Sequence, residues 1–305
     1  MILIDYSQVL ISVFFSQGVL KTPDEDLVRH VSLNTIRSYV QKFSDKYGQP
    51  VICADGKNTW RKQFFPYYKA SRAKHREESD VDWKALFDVM TKIYSEIDSI
   101  PIYPCIRLEG AEADDVIAVL SEISFRNSEK TVIVSSDHDF AQLQRYEGIA
   151  QYSPSKNGFV KETDPTNFLL EHIVRGDGGD GIPNIFSDDD CFVTDGKRQA
   201  SASKKRIETF IDYIYDSSKP GIKEEWKRNY DRNKTLIDFQ YIPKHISDQI
   251  KEAYTEKVLN HEPNKSGFLN YLVEHKCRLL ISTIDEFFPL PTTNKKPSSS
   301  LNFFE

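Results

Sequence analysis

The sequence predicts an α/β protein built on a doubly wound, mostly parallel sheet. Three short apolar runs each lead to an aspartate: Met-Ile-Leu-Ile-Asp5, Pro50-Val-Ile-Cys-Ala-Asp55, and Thr131-Val-Ile-Val-Ser-Ser-Asp137. Runs that are apolar at every position suit strands buried on both faces. Helical patterns lie between them, as parallel pairing requires. In such sheets ligands bind at the carboxyl ends of the strands, which is where the three aspartates fall.

Taken in order, residues 1–5 read as the first strand, with Asp5 either a turn residue or a functional acid. Residues 24–43 repeat apolar positions at helical spacing (Leu27, Val31, Ile36, Val40, Phe43),. The second strand follows and turns at Asp55-Gly56. Residues 83–97 form an amphipathic helix (Leu86, Met90, Ile93, Ile97), and residues 101–108 read as a strand. Glu112, Asp114 and Asp115 then precede a helix whose buried face holds Val116, Ile117, Val119, Leu120 and Ile123. Acids there suit the helix dipole or a site. After the third strand come Asp137, His138 and Asp139; His138 reads as a bystander, because neighbours in a strand-end loop point different ways. Residues 149–160 read as a hairpin or irregular strands, and residues 168–174 as a short helix. The Gly-Asp run 176–181 lacks the spacing and the terminal Glu of a calcium loop, so it reads as a turn placing Asp177 and Asp180. Further helices alternate to about 285, and residues 291–300 read as a linker.

Composition sets bounds. The 305 residues, 39% of them hydrophobic, can bury one large core or two,. The net charge of −6 argues against a nucleic-acid binder, but charge is segregated. Residues 57–76 hold seven basic residues (Lys57, Arg61, Lys62, Lys69, Arg72, Lys74, Arg76), no acid, and five aromatics (Trp60, Phe64, Phe65, Tyr67, Tyr68). That mixture suits neutralising phosphates while offering flat faces to unstacked bases; a solvated helix is the plainer alternative. A second basic cluster holds Lys197, Arg198, Lys204, Lys205 and Arg206. Cys53, Cys105, Cys191 and Cys277 are too scattered for a zinc site or a disulfide framework and read as buried thiols of an intracellular protein,. No signal peptide is expected, since Asp5 interrupts the apolar start, and no run reaches the ~18 residues of a membrane span. A cytosolic protein is expected.

The carboxylates Asp5, Asp55, Glu112, Asp114, Asp115, Asp137, Asp139, Asp177 and Asp180 are expected to gather. Like charges a few ångströms apart raise one another's pKa, and divalent cations resolve the conflict. Oxygen-only ligands favour Mg²⁺ or Mn²⁺ over zinc. Two such ions ~3.5–4 Å apart can activate water and clamp a phosphoryl group. Beside a basic, aromatic segment, that chemistry points to phosphodiester hydrolysis in nucleic acid.

Six motifs in order resemble the flap-endonuclease or 5′-nuclease superfamily, within it the T-even-phage ribonuclease H type of 5′→3′ exonuclease. They are Leu3-Ile-Asp5-Tyr-Ser7, Asp55-Gly56, Tyr68-Lys69-Ala-Ser-Arg72, Glu112-Ala-Asp114-Asp115, Ser136-Asp137-His-Asp139-Phe140 and Gly176-Asp177-Gly-Gly-Asp180. The resemblance implies a Rossmann-like, PIN-like 5′-nuclease sheet with an arch at about 57–82 in a domain spanning 1–185. It also implies a helical duplex-binding domain at 186–290, and composition adds a flexible tail at 291–305,. By the same resemblance, Asp55, Glu112, Asp114 and Asp137 match a first metal site, and Asp139, Asp177 and Asp180 a second. Asp5 lies between the two, and Asp115 is an adjacent acid of less settled role. Lys69 and Arg72 match arch positions that reach the scissile phosphate, and Tyr68 is expected to stack on a base.

The implied activity is Mg²⁺-dependent 5′→3′ exonuclease and flap endonuclease action on DNA·DNA and RNA·DNA duplexes, removing RNA primers and leaving 5′-phosphates. The implied setting is viral replication in a host cytoplasm, as a monomer. Implied partners are a duplex with a 5′ end, fork or flap, and a single-strand DNA-binding protein. Separately, the apolar end with Leu301, Phe303 and Phe304, on a Ser/Pro linker, reads either as a docking peptide for a sliding clamp or as a frayed terminus. Departures are His138, where glycine is common, and the absence of the G-I-G-x-K-T hairpin, which leaves duplex binding to residues 197–206. An aspartyl-phosphate phosphatase would need Asp where Ser7 stands. A PIN-type endoribonuclease is usually shorter and lacks the basic arch, and a non-catalytic junction binder has no need of the acids.

Overall fold

A computed structural model describes residues 1–16, 21–216 and 222–288. In chain order these form β1 (Ile2–Asp5), α1 (Tyr6–Ser16), α2 (Glu25–Tyr47), β2 (Pro50–Cys53), α3 (Trp60–Phe64), α4 (Ser71–Glu77) and α5 (Trp83–Ser99). Then follow β3 (Cys105–Ile106), α6 (Ala113–Arg126), β4 (Thr131–Val134), β5 (Ile149–Ser153), β6 (Gly158–Val160) and α7 (Pro165–Arg175). The remaining helices are α8 (Lys204–Tyr215), α9 (Glu224–Ile237), α10 (Lys244–Ala253), α11 (Lys265–Glu274) and α12 (Arg278–Ile281). The clamp-docking residues Leu301, Phe303 and Phe304 and the tail around them lie outside the described residues.

The chain divides into two compact units: Met1–Lys57, Val81–Lys161 and the residues from His245 in one, Asn58–Asp80 with Glu162–Lys244 in the other. This division differs from the expected boundary at 185/186 in three places. The arch segment and residues 162–185 belong to the helical unit, and α11 and α12 belong to the sheet unit. Apolar burial accompanies these placements. Phe65 and Tyr68 of the arch enter one core with Leu170, Ile173, Val174 and Ile237. Phe268, Leu272, Leu280 and Phe287 enter the core beneath the sheet.

In the sheet unit the strand order is β3-β2-β1-β4-β5-β6, parallel except for the last, antiparallel pair. Every residue of β1, β2 and β4 is buried, as expected of strands covered on both faces. β1 registers Ile4 against Ile52 on one side and Val134 on the other. The strand expected over 101–108 shortens to Cys105–Ile106. The chain winds outward from β1 through β2 to β3, then returns to place β4 on the other flank of β1. The β1–β4 boundary is therefore the switch point, where open sheets bind ligands. All four cysteines are buried and free of disulfides, and among the described residues no helix is long and apolar enough to cross a membrane.

Helix α2 starts at Asp24, whose carboxylate accepts the Leu27 amide at 3.0 Å, a standard N-cap. One turn in, the fully buried Arg29 bonds Glu96 of α5 at 3.0 Å, as well as Glu25 and Asp26. Tyr271 of α11 donates to the same Glu96 at 2.8 Å. Three helices distant in sequence are thus joined on one carboxylate. Burial opposes ionisation of Glu96, but the donors from Arg29 and Tyr271 outweigh it and hold the pKa below its ordinary 4.5. Arg29→Ala should cost about 3–5 kcal/mol at neutral pH, the scale for removing one partner of a buried pair. The cost should shrink as pH falls below 4.5, where the unfolded chain and then the folded Glu96 take up a proton,. Urea melts of both proteins at pH 7 and pH 4 check this.

Candidate active site

In the sheet unit, β1 ends in Asp5, which is only 5% exposed. Its carboxylate accepts the Ser135 hydroxyl at 2.8 Å and the Gln8 amide at 3.1 Å. Ser135 lies just past the end of β4, and its hydroxyl oxygen in turn accepts the Asp137 amide at 3.1 Å. One serine therefore links the two strand ends across the switch point. Burial, with Asp55 adding to it, pushes the Asp5 pKa up to about 7.

Asp55 follows β2 and accepts two donors, the Ser7 hydroxyl at 2.8 Å and the Ala113 amide at the start of α6 at 2.9 Å. The turn after it is possible only with glycine: a Cβ on Gly56 would lie 1.7 Å from the Leu108 carbonyl oxygen. That close approach presses the β2 turn against the loop that delivers Glu112. Glu112 is the N-cap of α6 and is 4% exposed. Asp114 lies in the first turn and is half-buried. Asp115 departs from them. It is fully buried, and its carboxylate accepts the Glu112 amide at 2.9 Å in a capping box,. Its position is that of a helix cap that orients Glu112.

Asp137 caps the 3-10 helix His138–Arg145 and accepts the Asp139 amide at 2.9 Å. The tight turn brings His138, read from the sequence as a bystander, close to both neighbouring acids. Its ring nitrogens lie 3.7 Å from an Asp137 oxygen and 3.5 Å from an Asp139 oxygen. Ser135 and Gln151, whose amide donates to the Ser135 and Asp137 carbonyls, were also missed. The available signal was polar residues inside or directly after apolar strands.

These donors fit a hard divalent cation: carboxylate oxygens dominate, with one imidazole beside two of them. Burial first, and the neighbouring Asp55 second, disfavour the charged form of Asp5, and a bound cation would favour it.

In the helical unit, Asp177 and Asp180 sit on the turn after α7. Asp177 accepts the Asp180 amide at 3.0 Å and lies 3.8 Å from His172. Asp180 is a hub for the arch segment. It accepts the Tyr68 hydroxyl at 2.8 Å, pairs with the Arg72 guanidinium and lies 3.6 Å from the Lys69 ammonium. The backbone joins in, with the Lys69 amide donating to the Asp180 carbonyl at 2.7 Å and Arg72 to Gly179 at 3.0 Å. Lys69 holds φ 55°, a strained conformation for a residue with a side chain.

Several expected contacts are corrected here. Tyr68 is 3% exposed and packed in the core, so it offers no free face to a base; Phe64 and Tyr67 are the exposed aromatics. Arg61 is buried, donates to the Leu236 carbonyl at 2.9 Å and stacks on Trp60, which makes it structural. Lys197 pairs with Asp188 and Asp190, and Arg206 lies 4.1 Å from the centre of the Phe186 ring. Lys62, Lys74, Arg76, Arg198, Lys204 and Lys205 are exposed, as is Lys57 in the sheet unit.

Comparison with known proteins gives a consistent picture. The family described as 5′-3′ exonuclease, N-terminal resolvase-like domain, matches residues 1–170, and that described as T4 RNase H, C terminal, matches residues 165–287. The ribonuclease H of Enterobacteria phage T4 is 31% identical over 297 residues, 93% of this chain and 95% of that protein. The flap endonuclease Xni of Shewanella sp. strain ANA-3 is 32% identical over 135 residues, 42% of this chain and 48% of that one. The T5 5′-exonuclease solved with zinc shares the fold with a TM-score of 0.61 at 17% identity, covering 84% of this chain and 98% of that one. The T5 D15 flap endonuclease solved with DNA and metal ions gives 0.62 at 17% identity, with 83% and 97% covered.

The raised pKa of Asp5 sets a direction for stability. Between 3.8, its ordinary value, and about 7, the folded carboxyl holds a proton that the unfolded chain has released. Without metal, stability from this group is full below that window and is lost as pH rises through it. Asp5→Asn should therefore lose less melting temperature between pH 5 and pH 8 in EDTA than the parent. Added Mg²⁺ at pH 8 should raise the parent's melting temperature by more than the variant's.

Proposed function

The chain belongs to the 5′-3′ exonuclease family, and from that premise we propose that it is a divalent-metal-dependent 5′→3′ exonuclease and flap endonuclease. Its substrates on this reading are DNA·DNA and RNA·DNA duplexes with a 5′ end, fork or flap, and its task is removal of RNA primers during replication. The observation that carries the reading is the set of carboxylates at the β1–β4 switch point, with a buried Asp5 whose pKa is raised to about 7.

Asp5, Asp55, Glu112, Asp114, Asp137 and Asp139 would hold the metal in the sheet unit, and Asp177 and Asp180 are assigned to the second ion. Mg²⁺ is the expected ion, with Mn²⁺ a substitute. When bound, the pair would supply an acidified water and neutralise charge on the phosphodiester. The chain's own residues do the rest. Ser135, Ser7 and the α6 amide orient Asp5 and Asp55. Asp115 fixes Glu112 by closing the helix cap. Lys69 and Arg72 are the cations assigned to the phosphate, where positive charge stabilises the transition state. The exposed Lys57, Lys62, Lys74 and Arg76 suit the single strand, and Arg198, Lys204 and Lys205 the duplex backbone,. Contacts with phosphates do not read the sugar or base, which suits cutting RNA and DNA alike.

Incubating the protein with a 5′-labelled flap, a nicked duplex and an RNA·DNA hybrid, in Mg²⁺ or EDTA, tests the reading; no Mg²⁺-dependent product from any of them would refute it. Asp139→Asn should abolish cleavage while a gel-shift assay in Ca²⁺ shows DNA binding intact. Lys69→Ala should slow single-turnover cleavage about 10²–10³-fold with a much smaller change in affinity. A loss confined to affinity would make Lys69 only a phosphate anchor.

A further inference from the structure

Helix α9 carries the tandem sequence Arg228-Asn229-Tyr230-Asp231-Arg232-Asn233, two Arg-Asn pairs four residues apart. On a helix that spacing stacks the pairs on one face, and both asparagines are fully buried. The Asn233 amide donates to the Ile173 and Pro183 carbonyls, each at 2.8 Å. The Asn229 amide donates to the Ile185 and Ser187 carbonyls at 2.9 and 3.1 Å. Each carboxamide oxygen accepts from the preceding arginine, Arg232 at 2.8 and 2.9 Å and Arg228 at 2.6 and 3.1 Å. Those donors decide which end of each carboxamide is the oxygen. Both arginines pair with Asp189, and Arg232 adds a bond of 2.9 Å to the Pro183 carbonyl.

The carbonyls gripped at Ile173 and Pro183 flank the turn that carries Asp177 and Asp180. That turn has no room to adjust at its entrance: Gly176 sits at φ 65°, and a Cβ there would lie 2.4 Å from the Ile182 carbonyl oxygen. Ile173 supplies one of the last carbonyls of α7, which the helix itself cannot satisfy. A single side chain, Asn233, therefore joins the two legs of the turn, and Arg232 locks Asn233.

We propose that this Arg-Asn ladder, Asn233 and Arg232 above all, is the positioning device for the carboxylates of Asp177 and Asp180. The inference rests on the reading of those two as metal ligands and extends it: removing the ladder loosens the carboxylates without touching them. Groups that orient metal ligands commonly change affinity by about 10–100-fold when removed.

The test compares Asn233→Ala and the milder Arg232→Lys with Phe210→Leu, a core truncation in the same unit that serves as a stability control. Hydrogen exchange at the Asp180 and Ile182 amides, both held by Asp177, reads positioning without any metal. Isothermal titration with Mn²⁺ reads its consequence. Asn233→Ala should speed that exchange about tenfold beyond the control and weaken Mn²⁺ binding about tenfold. It should also lower kcat with KM for DNA nearly unchanged. Arg232→Lys, which keeps its charge near Asp189 but cannot donate twice to Asn233, should show the same pattern more weakly and covers the case in which Asn233→Ala fails to fold. If exchange and Mn²⁺ binding follow stability alone, as in Phe210→Leu, the ladder is structural and the proposal is overturned. If the parent binds no Mn²⁺ and cuts no DNA while the exchange effect stands, the ladder positions the turn but the metal reading fails.

Discussion

Crowding of negative charge where the strand order reverses is the constraint on which the rest of the structure depends. β1 and β4 lie side by side and deliver Asp5 and Asp137 to one edge, while β2 and the start of α6 add Asp55, Glu112 and Asp114. Left to themselves these groups would repel or take up protons. Three of them are held by donors: Ser135 on Asp5, Ser7 and the Ala113 amide on Asp55, the Asp139 amide on Asp137. Such donors keep the carboxylates in place but do not balance their charge, and Asp5, the most buried at a strand end, has its pKa raised by burial first and by Asp55 second.

The helical unit follows a different rule. Two of its acids are matched by cations, Asp180 by Lys69 and Arg72, and Asp189 by Arg228 and Arg232. The arch segment owes its order to that pairing and to the burial of Phe65 and Tyr68. Lys69 holds its positive φ where its amide donates a hydrogen bond to the Asp180 carbonyl. A segment whose composition suggests a solvated, nucleic-acid-facing surface thus has three of its five aromatics, Trp60, Phe65 and Tyr68, turned inward.

That outcome explains which site residues were legible. Acids at strand ends could be read directly, because apolar runs followed by Asp mark both the strand and its carboxyl terminus. The roles of Asp115, His138, Tyr68, Arg61 and Arg206 could not, since each depends on which way one side chain turns within a correctly recognised segment. The Arg-Asn ladder escaped for a related reason: polar residues in a charged helix look solvated until their backbone partners, some fifty residues away, are in place.

By itself the sequence determined the parallel sheet, the order of its strands and helices, the acids at the strand ends and the family. These are properties of local pattern and spacing. Only the tertiary structure decided that the helices after His245 close the sheet unit and that the arch joins the helical one. It also decided that Asp180 anchors the arch and that Ser135 ties Asp5 to Asp137. Those results depend on long-range burial and on hydrogen bonds between residues far apart in the chain, whose geometry no local pattern encodes.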